Sequence, residues 1–357
     1  MLPYWILFAI PAWMAIQYRS LSLSASRRWP QLWWLFFFSL VLMVGLRHEV
    51  GGDWGNYIPK IDSVRDSSIQ DVITASSDPG YNLMNWIAAQ SDLGIYFVNT
   101  ACALFFTWGL IAFCRIQPRP WLAVLVAVPY LVIVVGMGYT RQGTAIGLAM
   151  LGLVALAEHR VFRFVLFVAL AATFHKSAVV LVPLAALSNP RKKLWNTFWA
   201  ALFFILLYYL FLDSAVDNYQ RGYIDKEYQS AGAAIRIAMN AVPAALFLLF
   251  RNRFSLSKSD RLFWTWLSVI AWVFVVWLLV SASSTAVDRV ALYIIPLQLF
   301  VLSRIPDAFG KSDRTTSDLI IAVIAYSALV QLVWLLFADH AAGWLPYQFF
   351  PWAWLHQ

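Results

Sequence analysis

Charged residues are scarce in this sequence: aspartate, glutamate, lysine and arginine make up only 12% of its 357 residues. About a quarter of a soluble domain is charged, so the composition excludes a chain built mainly of soluble domains. Hydrophobic residues reach 61%, and 19 tryptophans accompany them. Because tryptophan collects at membrane–water interfaces, we predict an all-α polytopic membrane protein. Residues 1–357 then form a single transmembrane domain.

Cysteine is scarcer still, and Cys102 and Cys114 fall in one apolar segment. Their spacing places them about three turns apart on one helix, too far for a disulfide bond. No CxxC or His-x-His pattern indicates a structural metal. The net charge of +8 does not indicate a nucleic-acid partner, since basic residues mark the cytoplasmic loops of membrane proteins. The N-terminus lacks a basic stretch, so we expect a first span there rather than a signal peptide.

Apolar runs divide the sequence, and we expect each to be helical because lipid offers no partner to unpaired backbone groups. The runs cover residues 2–18, 29–46, 93–113, 121–137, 144–157, 161–187, 194–212, 234–250, 262–280, 290–302 and 319–338. A spanning helix needs ~20 residues. We therefore predict about 10 full spans.

The run at 161–187 is the exception. As one span it would move the basic loops 191–193 and 251–261 to the outer side, against the positive-inside rule. A polar break at His175 and Lys176 divides the run into two halves, each short for a span. We predict a broken, re-entrant helical pair with these two residues at its tip, on the outer side.

The resulting orientation defines the outer segments. They are 47–92, 138–142, the His175 tip, 213–233, 281–289 and the tail after Asp339. The segment 47–92 contains a predicted turn at Asp78-Pro79-Gly80-Tyr81 and a short amphipathic helix at 83–89. The mixed-charge loop at 213–233 is a candidate mobile lid.

The stretch from Arg47 to Tyr57 concentrates polar groups directly after an apolar run. It contains Glu49 and Asp53, and its glycines let the backbone approach a ligand. Charges at the edge of the hydrocarbon are expensive unless they are used or paired. Asp53 is a candidate general base for a sugar hydroxyl, or a group that orients an arginine. The alternative is a salt-bridged loop that caps helices.

Further basic residues lie on the same side. Arg141, followed by Gln142, is predicted to open a helix, where free N–H groups and a guanidinium suit a phosphate. Arg289 is also predicted to start a helix. Both have the alternative of snorkelling at the lipid interface, and Arg289 that of a local pair with Asp288. His175 is a candidate general base or phosphate donor, although a lone histidine is usually structural.

These groups together suit a lipid diphosphate, because its head is anionic and its tail needs a membrane cleft. Aromatic residues nearby, such as Tyr57 and Tyr81, are candidates for stacking on sugar rings. Most aromatic residues in such positions belong to the interface belt.

Five motifs occur in order along the chain. They are Arg47-x-x-x-Gly51-Gly52-Asp53-x-x-x-Tyr57, Asp78-Pro79-Gly80-Tyr81, Tyr139-Thr140-Arg141-Gln142-Gly143-x-Ala145, Phe174-His175-Lys176-Ser177-Ala178 and Asp288-Arg289-x-x-x-Tyr293. Together they resemble the EpsG-like branch of the Wzy polysaccharide polymerases, from about residue 47 to residue 293. The first motif usually reads Gly-Thr-Asp where this chain has Gly-Gly-Asp, and the second usually has glutamate in place of Asp78.

The resemblance implies a GT-C-like helical bundle in the bacterial inner membrane, and a metal-independent glycosyltransferase that needs no cofactor. Such an enzyme joins oligosaccharide repeat units carried on undecaprenyl diphosphate at the periplasmic face. Its partners are the lipid-linked donor and acceptor, membrane lipids and a chain-length regulator protein. The implied catalytic residues are His175, Asp53 and Arg141. The implied diphosphate ligands are Arg141, Arg289, Arg47 and Lys176, and the implied substrate contacts are Glu49, Tyr57, Tyr81, Gln142 and Tyr293.

Two other classes of protein handle lipid-linked glycans. A transferase of the O-antigen-ligase type needs the same diphosphate site, but the Arg-Gln and Phe-His-Lys-Ser motifs resemble the polymerases more. A flippase should carry charged groups along a pathway through the membrane, whereas the polar residues here concentrate at one face.

Overall fold

The computed structural model describes residues 1–18, 30–74, 78–91, 93–187, 193–207, 232–281 and 283–355. These residues are helical, without a β-strand among them, and one isolated antiparallel bridge joins Arg47 to Phe349. The α-helices are α1 (Leu2–Gln17), α2 (Gln31–Gly45), α3 (Trp54–Ser63), α4 (Ile69–Thr74), α5 (Pro79–Gln90), α6 (Gly94–Arg115), α7 (Pro120–Gly136), α8 (Thr140–Ala157), α9 (Val161–Phe174), α10 (Lys193–Leu207), α11 (Ala233–Phe250), α12 (Lys258–Val280), α13 (Ser284–Ala291), α14 (Pro296–Leu302), α15 (Ile305–Phe309), α16 (Asp313–Phe337) and α17 (Phe350–Leu355). The second half of α7, Val128–Gly136, is wound as a π-helix, and 3-10 segments lie at Lys176–Leu187, Leu292–Ile294 and Ala341–Trp344.

Several of these helices can cross a membrane. Within the described ranges, α6, α8, α11, α12 and α16 are long and apolar enough, and the bent pair Ser284–Ile294 with Pro296–Phe309 makes a sixth candidate. The helices α1, α2, α7 and α9 are apolar but shorter. The prediction of a polytopic helical membrane protein is confirmed, and the number of about 10 full spans stays a prediction.

The apolar runs coincide with observed helices in most of the chain, but the run at 290–302 does not form one straight helix. The chain bends there by 47°, with Pro296 at the bend. Proline lacks the N–H group that would continue the preceding helix. The helix before the bend starts at Ser284, and Arg289 lies in its last turn. The prediction that Arg289 starts a helix was therefore wrong.

The segment 47–92, predicted to lie on the outer side, is more helical than its sequence indicated. It contains α3 and α4, which were not predicted, and α5, which includes the predicted amphipathic helix. The predicted turn at 78–81 is wrong: Asp78 is the N-cap of α5 with left-handed backbone (φ 43°). Pro79 occupies the start of the helix, where its fixed φ is favourable. Helix α3 contains Pro59, and this internal proline explains why the sequence predicts a loop there.

The chain breaks at His175, as predicted. Helix α9 ends at Phe174, the backbone of His175 is extended (φ −155°, ψ 108°), and the 3-10 segment begins at Lys176. This segment packs against α9 and α10. Its re-entrant course in a membrane stays a prediction. Nearly all of the candidate lid at 213–233 lies outside the described residues.

Helices α6 and α8 pack closely against each other. A Cβ atom on Gly109 would lie 1.7 Å from the carbonyl oxygen of Gly147. Small residues let helices in lipid approach this closely. Cys102 and Cys114 are buried on α6 and free, so the prediction of no disulfide between them is confirmed. The contact holds the first turn of α8, with Arg141, against α6.

Candidate functional site

Arg47 anchors the segment 47–92 to the helices that it packs against. Its side chain is 0% exposed, and Nη2 donates hydrogen bonds to Thr140 Oγ1 at 2.7 Å and to Asn99 Oδ1 at 3.2 Å. Nε and Nη1 donate to the carbonyl oxygens of Val50 and Val44. Every nitrogen of the guanidinium is thus bonded inside the protein. This geometry favours a positioning role for Arg47 over direct contact with a diphosphate.

The C-terminal tail lies against the same stretch. The backbone N–H of Gly51 donates to the Gly343 carbonyl oxygen at 2.8 Å. Trp344 is buried, and its Nε1 donates to the Ile133 carbonyl oxygen at 2.8 Å. A Cβ atom on Gly138 would lie 2.2 Å from the Trp344 ring. The tail therefore holds together the turn before α3 and the turn before α8.

Asp53, Tyr57 and Lys60 follow one another at helical spacing along one face of α3. The Tyr57 hydroxyl donates to Asp53 Oδ2 at 3.3 Å and accepts the backbone N–H of Thr140 at 3.1 Å. That N–H is one of the free donors at the start of α8. Burial, and then the Asp53 carboxylate, raise the pKa of Tyr57, so its hydroxyl stays protonated. Asp53 is thereby tied to the end of α8 that carries Arg141.

Asp78 orients Arg141. The Nη1 atom of Arg141 lies 2.6 Å from Asp78 Oδ2, and the two side chains are 28% and 6% exposed. Asp78 Oδ1 accepts the backbone N–H of Lys176 at 3.4 Å. The Arg141 guanidinium carbon also lies 5.8 Å from the centroid of the Tyr81 ring. One carboxylate therefore joins the start of α8 to the break after α9, and it engages one of the five N–H donors of Arg141.

His175 lies among cations at this break. Its Nδ1 atom is 2.6 Å from Ser177 Oγ and 3.5 Å from the Tyr293 hydroxyl. Burial, and then three neighbouring positive charges, lower the pKa of His175 to about 3. The three charged residues are Arg141, Arg289 and Lys176. The imidazole is therefore neutral at physiological pH and free of a proton on one nitrogen.

The short helix α13 is held in place by polar contacts. Gln142 Nε2 donates to the Arg289 carbonyl oxygen at 2.5 Å. Asp288 forms a two-pronged ion pair with Arg236 of α11, at 2.7 and 2.8 Å. Asn240, also on α11, donates to the carbonyl oxygen that ends α13. These contacts fix Arg289 on the side of α8 that faces His175.

Most of the predicted site residues come together. We give the name cation cluster to the three cations Arg141, Lys176 and Arg289 together with the neutral His175 beside them. The predicted residues in contact with it are Tyr81, Gln142 and Tyr293, and Tyr57 and Asp53 adjoin it through the start of α8. Glu49 lies apart: it is exposed on left-handed backbone (φ 51°).

The sequence pattern did not single out Lys60, which the structure adds to this region. Its Nζ atom lies 5.8 Å from the centroid of the Tyr81 ring. Burial, and then Arg141, lower the pKa of Lys60, while Asp78 and Asp53 oppose that shift. In the sequence, only the helical spacing of Lys60 from Asp53 could have indicated this residue. That spacing has no meaning unless α3 is predicted as a helix, and its sequence resembles a loop.

The model of the EpsG family matches residues 31–349, a range that includes the whole cation cluster and the tail that packs on Gly51. No curated protein and no solved structure matches the chain. Across the described ranges, no three His, Cys, Asp or Glu side chains are grouped to hold a metal ion.

Proposed function

This chain belongs to the EpsG family of polysaccharide-polymerase-type membrane proteins, and from that premise we propose that it is a glycosyltransferase. It joins oligosaccharide repeat units carried on undecaprenyl diphosphate, at the periplasmic face of the bacterial inner membrane. The bundle is GT-C-like, with about 10 spans and a re-entrant pair at 161–187. The observation that carries the proposal is the convergence of Arg141, Lys176 and Arg289 around His175.

The proposed reaction is a single displacement at the anomeric carbon. An oxygen of the acceptor sugar bonds to the anomeric carbon of the donor, and the bond from that carbon to the diphosphate oxygen breaks. The electron pair leaves with the lipid diphosphate, and the hydroxyl proton goes to a base. Arg141 and Arg289 bind the diphosphate and stabilise the charge that develops on it, which is electrostatic stabilisation of a leaving group.

His175 is the proposed base. In the free protein it is neutral, so it is able to accept a proton. A pKa of about 3 makes it a weak base until an anion arrives, since general bases work best near the operating pH. A bound diphosphate offsets the charges of Arg141, Lys176 and Arg289 and so raises the proton affinity of His175. Asp53, bonded to Tyr57, is the alternative base.

The remaining predicted residues support these groups in our proposal. Arg47, Gln142 and Asp78 position the helices and the Arg141 guanidinium. Tyr57, Tyr81 and Tyr293 are nearly fully buried, so we assign them to the walls of the site. The exposed Glu49 contacts the outer part of a glycan. Since the cations neutralise the diphosphate, the proposed reaction requires no metal.

The test uses the purified full chain in nanodiscs with a lipid-linked repeat unit, and sizes the glycan products on a gel. We expect the wild-type protein to produce a ladder, and Arg141→Ala and His175→Ala each to lose on the order of 10²–10³ in rate. Wild-type rates from both variants would overturn the proposed site.

A strain that lacks the gene separates the alternatives. Single repeats accumulating on the carrier at the periplasmic face support the polymerase. Full-length polymer stranded on its carrier lipid indicates a ligase instead, and repeats trapped on the cytoplasmic side indicate a flippase.

A further inference from the structure

We infer that Lys60 and Arg141 form an anion subsite around the Tyr81 ring, which binds one phosphate group of the carrier diphosphate. The identity of this ligand rests on the proposed function. The presence of an anion rests on the geometry of the three side chains. Lys60 acts in this subsite as a binding residue, one helical turn after Tyr57.

The two cations share one aromatic platform. Lys60 Nζ and Arg141 Cζ each lie 5.8 Å from the centroid of the Tyr81 ring. Tyr81 is 1% exposed, and its ring is held edge-on by Tyr57 at 5.9 Å between centroids. A cation within about 6 Å of a ring face is attracted by the ring quadrupole. Both positive groups are therefore attracted to the same ring, although they repel each other.

Lys60 lacks a strong partner of its own. Among the residues that the structure describes, its ammonium makes neither an ion pair nor a hydrogen bond, and it lies over the Tyr81 ring. Asp78, the buried acid of the site, is bonded to Arg141 instead. A half-buried ammonium beside a second cation lowers its energy by binding an anion, since burying an unpaired charge is costly.

A phosphate group matches these two residues. A guanidinium donates to phosphate oxygens through its planar fork, and an ammonium acts as a point charge with rotatable donors. Arg141 uses Nη1 for Asp78, which leaves other donors of the fork for a ligand. In the proposed subsite, one tetrahedral group accepts hydrogen bonds from Arg141 and Lys60 together.

The experiment measures binding by isothermal titration calorimetry to the full chain in nanodiscs of neutral lipid. The probes are inorganic pyrophosphate and farnesyl diphosphate. We expect Lys60→Gln to weaken the binding of both probes about tenfold, which is the effect of losing one hydrogen bond to a charged group. The matched control is Arg65→Gln, which removes one positive charge from the same segment at an exposed position, 48% accessible, paired with Asp62. We expect this variant to weaken binding less than about twofold.

Further readouts separate binding from folding. Because the folded protein disfavours the charged form of Lys60, Lys60→Gln should keep or raise the thermal midpoint without ligand, while the stabilisation by pyrophosphate shrinks. In combination with Arg141→Gln, Lys60→Gln should weaken binding by less than the product of the two single fold-changes, since both residues bind one phosphate.

Unchanged affinity of Lys60→Gln for both probes, with binding lost in Arg141→Gln, would overturn the subsite and leave the proposed function standing. If pyrophosphate binds in a Lys60-dependent manner but farnesyl diphosphate does not bind, the result supports the subsite and contradicts the lipid-linked function. If the wild type binds neither probe, both proposals fail.

Discussion

Replacing Asp78 by asparagine tests whether this carboxylate positions Arg141. The change keeps the shape and one carbonyl oxygen for the Lys176 N–H, but it removes the negative charge 2.6 Å from Arg141 Nη1. Breaking a fully buried ion pair costs about 3–5 kcal/mol, and an exposed pair is worth about 0–1 kcal/mol. Asp78 is 6% exposed and Arg141 is 28% exposed, so an intermediate value applies. We expect roughly 2 kcal/mol for the ion pair. Because Arg141 stabilises the leaving group in the proposed reaction, losing that much of its positioning corresponds to about thirtyfold in kcat/KM.

The assay is polymerisation of lipid-linked repeats by the purified protein, with initial rates at several substrate concentrations. Asp62→Asn is the matched control, because Asp62 is 68% exposed and lies 3.9 Å from Arg65. A pair of that kind is worth little in water. We therefore expect the control to change kcat/KM by less than about twofold.

The double variant decides whether Asp78 acts through Arg141. In an Arg141→Gln background, Asp78→Asn should cause little further loss, since the group that it orients is already gone. A full thirtyfold loss in both backgrounds would mean that Asp78 has an independent role. Wild-type kcat/KM for Asp78→Asn alone would refute the reasoning from burial and distance.

Three further predictions follow from the described contacts. The folded protein holds the pKa of His175 at about 3, below its usual 6.5. Between these values the folded protein binds fewer protons than the unfolded chain, so its stability falls as the pH drops below about 6.5. Thermal midpoints measured from pH 7.5 to 5 should therefore fall more steeply for the wild type than for His175→Asn, and parallel curves would contradict this. Gly138→Ala should lower the free energy of unfolding by about 1–3 kcal/mol, because the new methyl group overlaps the Trp344 ring. The control is Gly55→Ala, where a Cβ meets nothing within 4 Å. Equal thermal midpoints for the two variants would refute the overlap. EDTA should leave the polymerisation rate unchanged, and activity lost to EDTA and restored by Mg²⁺ would make Asp53 and Asp78 candidate ligands.

The sequence predicts the helical framework well, and the reason is the lipid. An unpaired backbone group is so costly in a bilayer that an apolar run has little choice but to form a helix. The break at His175 was also predictable, because polar residues interrupt the run there. Motif order linked Arg141, His175 and Arg289, and the structure brings these three together, although spacing along the chain alone gives no such distance.

The parts that sequence reasoning missed depend on tertiary contacts. Helix α3 contains Gly55 and Pro59, which read as a loop, and its helical register was needed to place Lys60 beside Asp53. Arg47 looked like a ligand because it stands at the edge of an apolar run. Its burial under Thr140 and Asn99 comes from segments far away in the chain. The site itself stays a prediction until the variants are measured.

The pairing of the C-terminal tail with the first outer stretch has a consequence for biosynthesis. His48 donates its backbone N–H to Gln348, and Phe350 donates to Leu46, next to the contact of Gly51 with Gly343. These partners are synthesised hundreds of residues apart, Leu46, His48 and Gly51 early and Gly343, Gln348 and Phe350 late. These contacts thus form only after residue 350 has emerged. Nascent chains therefore carry all the residues of the cation cluster before the contacts of the tail with Leu46, His48 and Gly51 can form.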